Sequence, residues 1–317
     1  MRPEVIQGDV REVLKTFDDE SVQCVVTSPP YWGLRDYGVE DQLGLEETPE
    51  EYMENMVDVF REVKRVLRKD GTLWLNLGDS YASTGGPIKK GGEWKDIMGQ
   101  SKAMENSSKY DTKSRTIERY GGLKPKDLIG IPWRVALALQ SDGWYLRSDI
   151  IWNKPNPMPE SCKDRPTKSH EYIFLLTKSA KYYYDYEAIK EKGEYPAGTK
   201  AAKGSAKRYS TDLVNSRPPE YKVYDGTRNK RSVWKITTKP YKEAHFATFP
   251  EELPETCIKA GTKKGDVVLD IFAGSGTTLR VASKLGRKGI GIELNPEYIK
   301  ILKKRCKIES ISLEAFV

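Results

Sequence analysis

Short apolar runs separated by polar turns predict strands that alternate with helices along the chain. Residues 5–7 and 24–27 are largely apolar and β-branched, which favours two strands with a helix over residues 10–17 between them. The same reasoning predicts further strands at residues 72–77, 145–152, 172–177, 266–270 and 289–293. Alternation of this kind is typical of an α/β fold with a largely parallel sheet.

Capping residues mark the start of one long predicted helix. Thr48 precedes Pro49, and Glu51 stands three positions after the threonine, which is the pattern of a capped helix start. Apolar side chains then recur every three or four residues and stop before Gly71. Further helices are predicted over residues 128–139 and 278–285 and from residue 295 onward.

Two segments depart from this pattern. Residues 84–126 are mostly Gly, Ser, Lys and Asn, which predicts a mobile loop. Residues 178–242 carry 16 Lys and Arg against 7 Asp and Glu, and nine of the eighteen tyrosines. Because cations bind phosphates and aromatic rings stack on bases, this second segment favours contact with nucleic acid; a solvated, partly disordered insert is the alternative.

Composition narrows the class of protein. The chain has 317 residues, a net charge of +7, and no apolar run long enough to cross a bilayer. Met1 is followed by Arg-Pro-Glu rather than by a leader sequence, so we expect a cytoplasmic, nucleoid-associated protein. Four scattered cysteines and two histidines favour neither a disulfide framework nor a metal site.

Candidate chemistry begins where the second strand ends. Proline cannot donate to a sheet ladder and disfavours the helical region for the residue before it, so Ser28-Pro29-Pro30 forms a stiff, extended lip. The Ser28 hydroxyl and the Pro29 carbonyl can accept hydrogen bonds from an amino group, while the ring of Tyr31 stacks on the base that carries it. A strand-ending turn without further function is the alternative.

A second candidate site lies near the carboxyl end. The strand that ends at Asp270 leads into a Gly-rich turn and a helix, and the following strand ends at Glu293, which can bind two ribose hydroxyls. Leu279 stands where a dinucleotide-binding turn has its third glycine. The turn therefore favours an adenosine cofactor without phosphate, namely S-adenosylmethionine, over a nicotinamide dinucleotide.

Three motifs together carry a resemblance to a known family. Residues 270–278, Asp-Ile-Phe-Ala-Gly-Ser-Gly-Thr-Thr, resemble the cofactor motif of the DNA amino-methyltransferases, and residues 27–31, Thr-Ser-Pro-Pro-Tyr, resemble their catalytic motif. Residues 245–250 resemble the segment that precedes the cofactor motif. The order, catalytic motif first and cofactor motif last, is that of the β group of these enzymes. The resemblance spans most of the chain and weakens over residues 84–121 and 187–231.

The resemblance implies a fold and its division. The expected fold is that of an S-adenosylmethionine-dependent methyltransferase, Rossmann-like, with a seven-stranded mixed sheet, helices on both faces, a permuted motif order and a target-recognition insert. Residues 1–180 would form the first part of the catalytic domain, residues 181–240 the insert, and residues 241–317 the cofactor-binding part. The first strands would then lie beside the last ones, so Asp9 and Glu293 should share one pocket.

Roles follow from the resemblance residue by residue. Phe272 and its turn would hold the methionine part of the cofactor, Glu293 the ribose, and Asp9 the adenine amino group. The implied cofactor-binding set is Asp9, Phe246, Phe249, Pro250, Asp270, Phe272, Ala273, Gly274, Ser275, Gly276, Thr277, Thr278 and Glu293. The implied catalytic set is Ser28, Pro29, Pro30 and Tyr31, and the substrate contacts are Trp32, Lys154, Arg208, Arg228 and Arg231. No metal is implied.

The implied reaction moves a methyl group to an exocyclic amine of a base flipped out of duplex DNA. In the family, Ser-Pro-Pro-Tyr usually accompanies cytosine N4 and Asp- or Asn-Pro-Pro-Tyr adenine N6, so we expect cytosine N4, with adenine N6 as the alternative. Methylation of cytosine C5 needs a nucleophilic cysteine, which none of the four resembles. A DNA-binding protein without catalysis is a more distant alternative. The implied partners are double-stranded DNA and a cognate restriction endonuclease, and the chain would act as a monomer or homodimer.

Overall fold

The computed structural model of the chain describes residues 2–33, 42–82, 122–202, 221–238 and 249–308. The chain divides into two compact units. The larger combines Met1–Tyr183 with Ser232–Val317, and the smaller is Tyr184–Arg231. An insert is expected over residues 181–240, whereas the smaller unit begins at Tyr184 and ends at Arg231.

The described residues of both units form strands and helices. The described strands are β1 (Glu4–Gln7), β2 (Val22–Thr27), β3 (Leu67–Leu77), β4 (Tyr145–Asn153), β5 (His170–Thr177), β6 (Glu191–Lys192), β7 (Lys200–Ala202), β8 (Tyr221–Val223), β9 (Thr227–Arg228), β10 (Val233–Lys235), β11 (Val267–Asp270) and β12 (Lys288–Glu293). The described helices are α1 (Val10–Val13), α2 (Pro49–Val66), α3 (Ile131–Ser141), α4 (Glu252–Gly261), α5 (Thr277–Lys284) and α6 (Pro296–Cys306), with 3₁₀ turns at Leu14–Thr16 and Glu187–Ile189.

One mixed sheet forms the core of the larger unit, in the strand order β1-β12-β11-β2-β3-β5-β4-β10. Its strands pair in parallel except β5, which is antiparallel to both β3 and β4. The α/β fold with a mixed sheet is confirmed, but the expected number of seven strands is wrong, because β10 adds an eighth. Trp234 on β10 is buried and lies in register with Trp152 on β4. Three residues are too few to show a strand period, so the sequence pattern misses β10.

The first and last strands of the chain are neighbours in this sheet. β1 pairs in parallel with β12, with Ile6 opposite Ile292. β11 pairs in parallel with β2, with Leu269 opposite Val25. Because parallel neighbours end at the same edge, the segments after all four strands meet there. The permuted order of the motifs is therefore accommodated in a single sheet, as the sequence analysis expects.

Helix α2 shows how local sequence sets an element. The Thr48 hydroxyl accepts a hydrogen bond from the backbone N–H of Glu51 at 3.2 Å, and the Glu51 carboxylate in turn accepts from the Thr48 N–H. The apolar face of the helix is buried in the core through Tyr52, Met56, Val59, Phe60, Val63 and Val66. The helix ends earlier than its apolar spacing predicts, because Leu67 has extended backbone and already begins β3.

The described residues of the smaller unit form two short antiparallel strand pairs. Strand β6 pairs with β9, and β7 pairs with β8. The rings of Tyr195 and Tyr224 lie 5.0 Å apart between centroids. This unit carries part of the basic, Tyr-rich segment that the sequence analysis assigns to nucleic-acid contact.

Other classes of site are absent from the described residues. No helix among them combines the length and apolar character needed to span a bilayer. No cluster of three or more His, Cys, Asp or Glu side chains among them is arranged to hold a metal ion. The four cysteines, all of which lie in the described ranges, form no disulfide.

Candidate active site

Four strand ends meet at one edge of the sheet and bring the two predicted motifs together. The Thr27 hydroxyl, at the end of β2, donates to the Asp270 carboxylate, at the end of β11, at 2.8 Å. On the other side of β11, the backbone N–H of Gly8 donates to the carbonyl of Glu293, at the end of β12, at 3.1 Å. The proline lip and the Gly-rich turn are therefore neighbours although 243 positions separate Thr27 from Asp270 in the chain.

Asp270 is the link between the two motifs. Its side chain is buried and accepts hydrogen bonds from the Thr27 hydroxyl, the Thr278 hydroxyl at 2.7 Å and the Phe272 N–H at 3.2 Å. Burial raises the pKa of Asp270 to about 6, although these three donors oppose the rise. Asp270 and Thr278 therefore hold the turn against β2 with side chains that are themselves enclosed by protein.

The Gly-rich turn leaves room above its backbone. Gly274 has φ +49°, and a Cβ atom built on it would have no described atom within 4 Å. Gly276 has φ +77° and begins α5, but a Cβ atom there would lie 2.7 Å from Cγ of Leu302. The two glycines therefore have different functions. Gly274 keeps a surface open, whereas Gly276 allows α6 to pack closely against the turn.

Arg305 on α6 secures the turn from the side, a contact that the sequence analysis misses. Its guanidinium donates to the Ser275 hydroxyl at 2.6 Å and to the Thr277 hydroxyl at 2.9 Å. Both hydroxyl residues are buried, as is Ala273, whereas Phe272 is partly buried and packs against the main core. The side chains of Ser275 and Thr277 thus support the shape of the turn.

Glu293 is held in place by backbone donors. One carboxylate oxygen accepts from the N–H of Gly274 at 2.7 Å and the other from the N–H of Asn295 at 2.8 Å. Burial raises the pKa of Glu293, against the effect of these donors. Each oxygen retains a second acceptor position, so the carboxylate can still bind two hydroxyl groups beside Gly274.

Asp9 stands at the start of α1 and makes its contacts there. It caps α1, accepting from the backbone N–H of Arg11 at 2.7 Å, and its two oxygens also accept from the Arg11 guanidinium at 2.9 and 2.5 Å. These contacts lower the pKa of Asp9, the guanidinium hydrogen bond most of all. Asp9 follows Gly8, whose backbone N–H donates to the carbonyl of Glu293, and the Asp9 carboxylate itself pairs with Arg11.

The proline lip is anchored from below. Pro29 is buried, and the carbonyl of Pro30 accepts a hydrogen bond from the Tyr52 hydroxyl of α2 at 2.9 Å. Trp32 is only 3% exposed and donates its indole N–H to the carbonyl of Glu46 at 3.0 Å. Trp32 is part of the core, and its burial argues against the expected contact with substrate.

Tyr31 belongs to a hydrogen-bonded chain of side chains. Its hydroxyl donates to the carboxylate of Glu171 at 2.8 Å and lies 3.2 Å from the Ser28 hydroxyl. Its ring lies against Gly78, where a Cβ atom would be 2.6 Å from Cε2 of Tyr31. Burial and the negative charge of Glu171 raise the pKa of Tyr31 well above its usual range. Tyr31 is therefore a neutral phenol with a fixed ring.

The predicted substrate contact Lys154 is part of the same chain. Its ammonium forms an ion pair with Glu171 and lies 4.3 Å from the ring centroid of Trp152. Only about a fifth of the Lys154 side chain is exposed. Glu171, Gly78 and Asn76 are not among the residues predicted from sequence. The charge of Glu171, just before the predicted strand 172–177, is a local signal for that residue, whereas Gly78 and Asn76 carry none.

The remaining predicted contacts are scattered. Arg228 and Arg231 lie in the smaller unit and pair with Glu194 at 2.9 and 2.6 Å, and Arg228 also pairs with Glu191. Phe249 is partly buried and Pro250 is buried, immediately before α4. Arg208, Phe246 and most of the predicted loop 84–126 lie outside the described residues.

Comparison with known proteins gives consistent matches. A family model described as DNA methylase, for N6 and N4 methyltransferases, matches residues 22–304. The chain is 48% identical over 309 residues to the type II methyltransferase M.Cfr9I of Citrobacter freundii, which covers 98% of this chain and 89% of that protein. It is 48% identical over 301 residues to the type II methyltransferase M.SmaI of Serratia marcescens, which covers 95% of this chain and 89% of that protein.

Solved structures share the fold. The PvuII DNA methyltransferase, described as cytosine-N4-specific, superposes with a TM-score of 0.63 at 20% identity and covers 99% of this chain and 88% of that one. A DNA modification methylase of Thermus thermophilus, solved in complex with S-adenosyl-L-methionine, superposes with a TM-score of 0.58 at 25% identity and covers 98% of this chain and 96% of that one.

Proposed function

The chain belongs to the DNA methylase family, and from that premise we propose that it transfers the methyl group of S-adenosylmethionine to the N4 amine of a cytosine in duplex DNA. The observation that supports this proposal best is the hydrogen bond between Thr27 and Asp270. It holds a lip suited to an amino group next to a turn suited to an adenosine cofactor. A methyl donor and an amine acceptor need that proximity to react.

The residues around the Gly-rich turn fit the cofactor. S-adenosylmethionine, when bound, supplies an electrophilic methyl group on a positively charged sulfur. The open surface over Gly274, together with Phe272, would hold the methionine part. The Glu293 carboxylate, oriented by two backbone donors, binds the ribose hydroxyls. Phe249 and Pro250 would close this pocket, and Asp270, Thr277 and Thr278 hold the shape of the turn.

The lip binds the target base. An exocyclic amine conjugated to a ring is a weak nucleophile, because its lone pair is delocalised into the ring. If Ser28 Oγ and the Pro29 carbonyl each accept one amino hydrogen, the nitrogen becomes more pyramidal and its lone pair is directed at the methyl group. Tyr31, fixed by Gly78 and Glu171, stacks on the base. The nitrogen that gains the methyl group releases one of its two amino protons to the solvent. Positioning and electrostatics supply the catalysis, and no protein nucleophile is required.

The base must leave the duplex to reach this lip, so base flipping is part of the proposal. Residues 178–242, with their positive charge and their tyrosines, include the region that recognises the target sequence. Arg228 and Arg231 are its described candidates for DNA contact. In the presence of DNA, phosphates compete with Glu191 and Glu194 for these two guanidinium groups.

One incubation tests the reaction and the base. The protein is mixed with labelled S-adenosylmethionine and plasmid DNA, and the DNA is then digested to nucleosides. We expect label in N4-methylcytosine. Label in N6-methyladenine would replace the base assignment and keep the enzyme class, whereas no label in DNA carrying every short target sequence would contradict the proposal as a whole.

Ser28 provides the matched test of mechanism. We expect Ser28→Ala to bind S-adenosylmethionine with unchanged affinity, measured by calorimetry, and to lose most of its turnover, because one acceptor of the amino hydrogens is gone. Ser21→Ala is a control, since Ser21 is exposed and bonds only to the backbone carbonyl of Asp18 among the described residues. Unchanged turnover of Ser28→Ala would remove Ser28 from the mechanism.

A further inference from the structure

We propose that Glu171 is a positioning residue that fixes the direction of the hydrogen-bond chain through Tyr31 to Ser28, so that the Ser28 oxygen presents only acceptor positions to the substrate amine. This inference rests on the proposed amino-methyl transfer and deepens it. It assigns a role to a carboxylate that the reaction chemistry does not otherwise use and that does not itself touch the base.

The hydrogen bonds that link Glu171, Tyr31 and Ser28 are continuous in the structure. The carboxylate of Glu171 accepts from the Tyr31 hydroxyl at 2.8 Å, and the Tyr31 oxygen lies 3.2 Å from the Ser28 hydroxyl. Within the part of the chain that the structure describes, the Ser28 hydroxyl has no other hydrogen-bond partner. The sequence separation between Tyr31 and Glu171 is 140 residues, so the tertiary fold alone creates this contact.

The direction of the chain follows from the chemistry of its last member. A carboxylate paired with an ammonium group has no proton to give, so Glu171 can only accept. Tyr31 has one hydroxyl proton and donates it to Glu171. The Tyr31 oxygen can then only accept, and the Ser28 hydroxyl donates its single proton to it. Both remaining lone pairs of Ser28 are available for an N–H donor.

One competing arrangement exists and is weaker. The Tyr31 hydroxyl is also 3.4 Å from the side-chain oxygen of Asn76. That distance is longer than the 2.8 Å to Glu171, and the amide oxygen carries no charge, so the carboxylate takes the proton. Even a proton shared with Asn76 would leave the Tyr31 oxygen as an acceptor for Ser28.

Neighbouring strands hold Glu171 in place. The side-chain amide of Asn76 on β3 donates to the Glu171 carboxylate at 3.1 Å and to the carbonyl of Tyr172 at 3.0 Å. Lys154, which directly follows β4, pairs with the other carboxylate oxygen and rests over the ring of Trp152. A carboxylate fixed from adjacent strands of one sheet gives the chain a single direction before substrate arrives.

The direction matters because the substrate amine is a donor. If Tyr31 donated to Ser28 instead, the Ser28 proton would be free to point at the amine, and two donors would face each other. Glu171→Gln creates that situation: the new amide can donate to the Tyr31 oxygen, and the chain can reverse. The substitution keeps the size of the side chain and changes its donor and acceptor pattern.

The test measures methyl transfer in single turnover with labelled S-adenosylmethionine and target DNA. We expect Glu171→Gln to reduce the rate about tenfold or more. Glu171 contacts neither cofactor nor DNA in this proposal, so the affinities for both should change less than about threefold. Glu255→Gln is the matched control, since Glu255 is ion-paired with Lys259 at 2.6 Å on α4. It should leave the rate unchanged.

A double substitution distinguishes action through Ser28 from loss of structure. In a Tyr31→Phe background the chain is already broken while the ring remains, so adding Glu171→Gln should cost no further activity. The inference would be overturned if Glu171→Gln lowered the rate of methyl transfer equally in the wild-type and Tyr31→Phe proteins, or if it left the wild-type rate unchanged. In either case, methyl transfer by the wild type would still support the proposed function. If Glu171→Gln fails to fold, Tyr31→Phe alone decides: a rate equal to that of wild type refutes the chain. Absence of methyl transfer by wild type would refute the proposed function instead.

Discussion

At the scale of single residues, the structure links the two motifs through one buried carboxylate. Asp270 receives hydrogen bonds from Thr27, Thr278 and the backbone of Phe272, and its surroundings exclude water. The donors stabilise the charged form, but burial outweighs them and raises the pKa to about 6. Folding therefore favours the protonated form of Asp270 at mildly acidic pH.

The raised pKa of Asp270 predicts that the stability of the protein depends on pH. Because folding raises the pKa of Asp270, protonated Asp270 contributes its full stability at pH values below 3.8, the pKa in the unfolded chain. This stability is lost as pH rises through about 6, the pKa in the folded protein. The difference between these values corresponds to about 3 kcal/mol. We expect the free energy of unfolding of the wild type, measured with urea relative to that of Asp270→Asn, to fall as pH rises from about 4 to about 6.5. Parallel curves for the two proteins would contradict this pKa.

At the scale of elements, the Gly-rich turn between β11 and α5 combines two demands on glycine. Gly274 and Gly276 both have positive φ, where a side chain costs about 1 kcal/mol or more. They differ in what surrounds them: open space lies above Gly274 among the described residues, and the buried Leu302 lies against Gly276. The same substitution at the two positions should therefore have separable effects.

We expect Gly274→Ala to lower the affinity for S-adenosylmethionine at least tenfold, because its methyl group enters the proposed cofactor surface, at a cost of about 1 kcal/mol in stability. Gly276→Ala should lose more stability, by about another 1 to 3 kcal/mol, because the added methyl group would lie 2.7 Å from Cγ of the buried Leu302. Calorimetric titration measures the first effect and chemical denaturation without cofactor the second. The assignment of Gly274 to the cofactor surface would be wrong if its alanine variant bound as tightly as wild type.

At the scale of the whole molecule, charge is distributed unevenly. The net charge is +7, and residues 178–242 alone carry an excess of 9 positive charges over negative ones. Within the smaller unit, Glu191 and Glu194 pair with Arg228 and Arg231. A polyanion releases condensed counterions when it binds such a surface, so DNA affinity should fall steeply with salt.

Arg231 gives this expectation a test. We expect Arg231→Ala to weaken DNA binding and to reduce the slope of log affinity against log salt concentration by about 1, because one phosphate contact is lost. Cofactor affinity should not change. Lys300→Ala is the control: it removes one positive charge from α6, where Lys300 pairs with Glu297. If both variants changed the slope equally, general charge and not a contact at Arg231 would account for the effect.

Much of the fold could be predicted from sequence because its signals are local. Thr48 and Glu51 begin α2 as expected, and the prolines after Thr27 end β2. The adjacency of the first and last strands came from the resemblance, and the pairing of β1 with β12 and of β11 with β2 confirms it. Strand β10 was missed because only Trp234 of its three residues is buried, and its partner is remote in sequence.

The sequence by itself determined which chemical groups the two motifs offer and where strands and helices begin, since both depend on residues a few positions apart. Only the tertiary structure decided how those groups are used. Trp32 is buried, and Lys154 pairs with Glu171, which also accepts the hydrogen bond of the Tyr31 hydroxyl. Hydrogen-bond partners and burial depend on distance in space, and a chain that brings residues 140 positions apart to 2.8 Å does not record that distance in any local pattern.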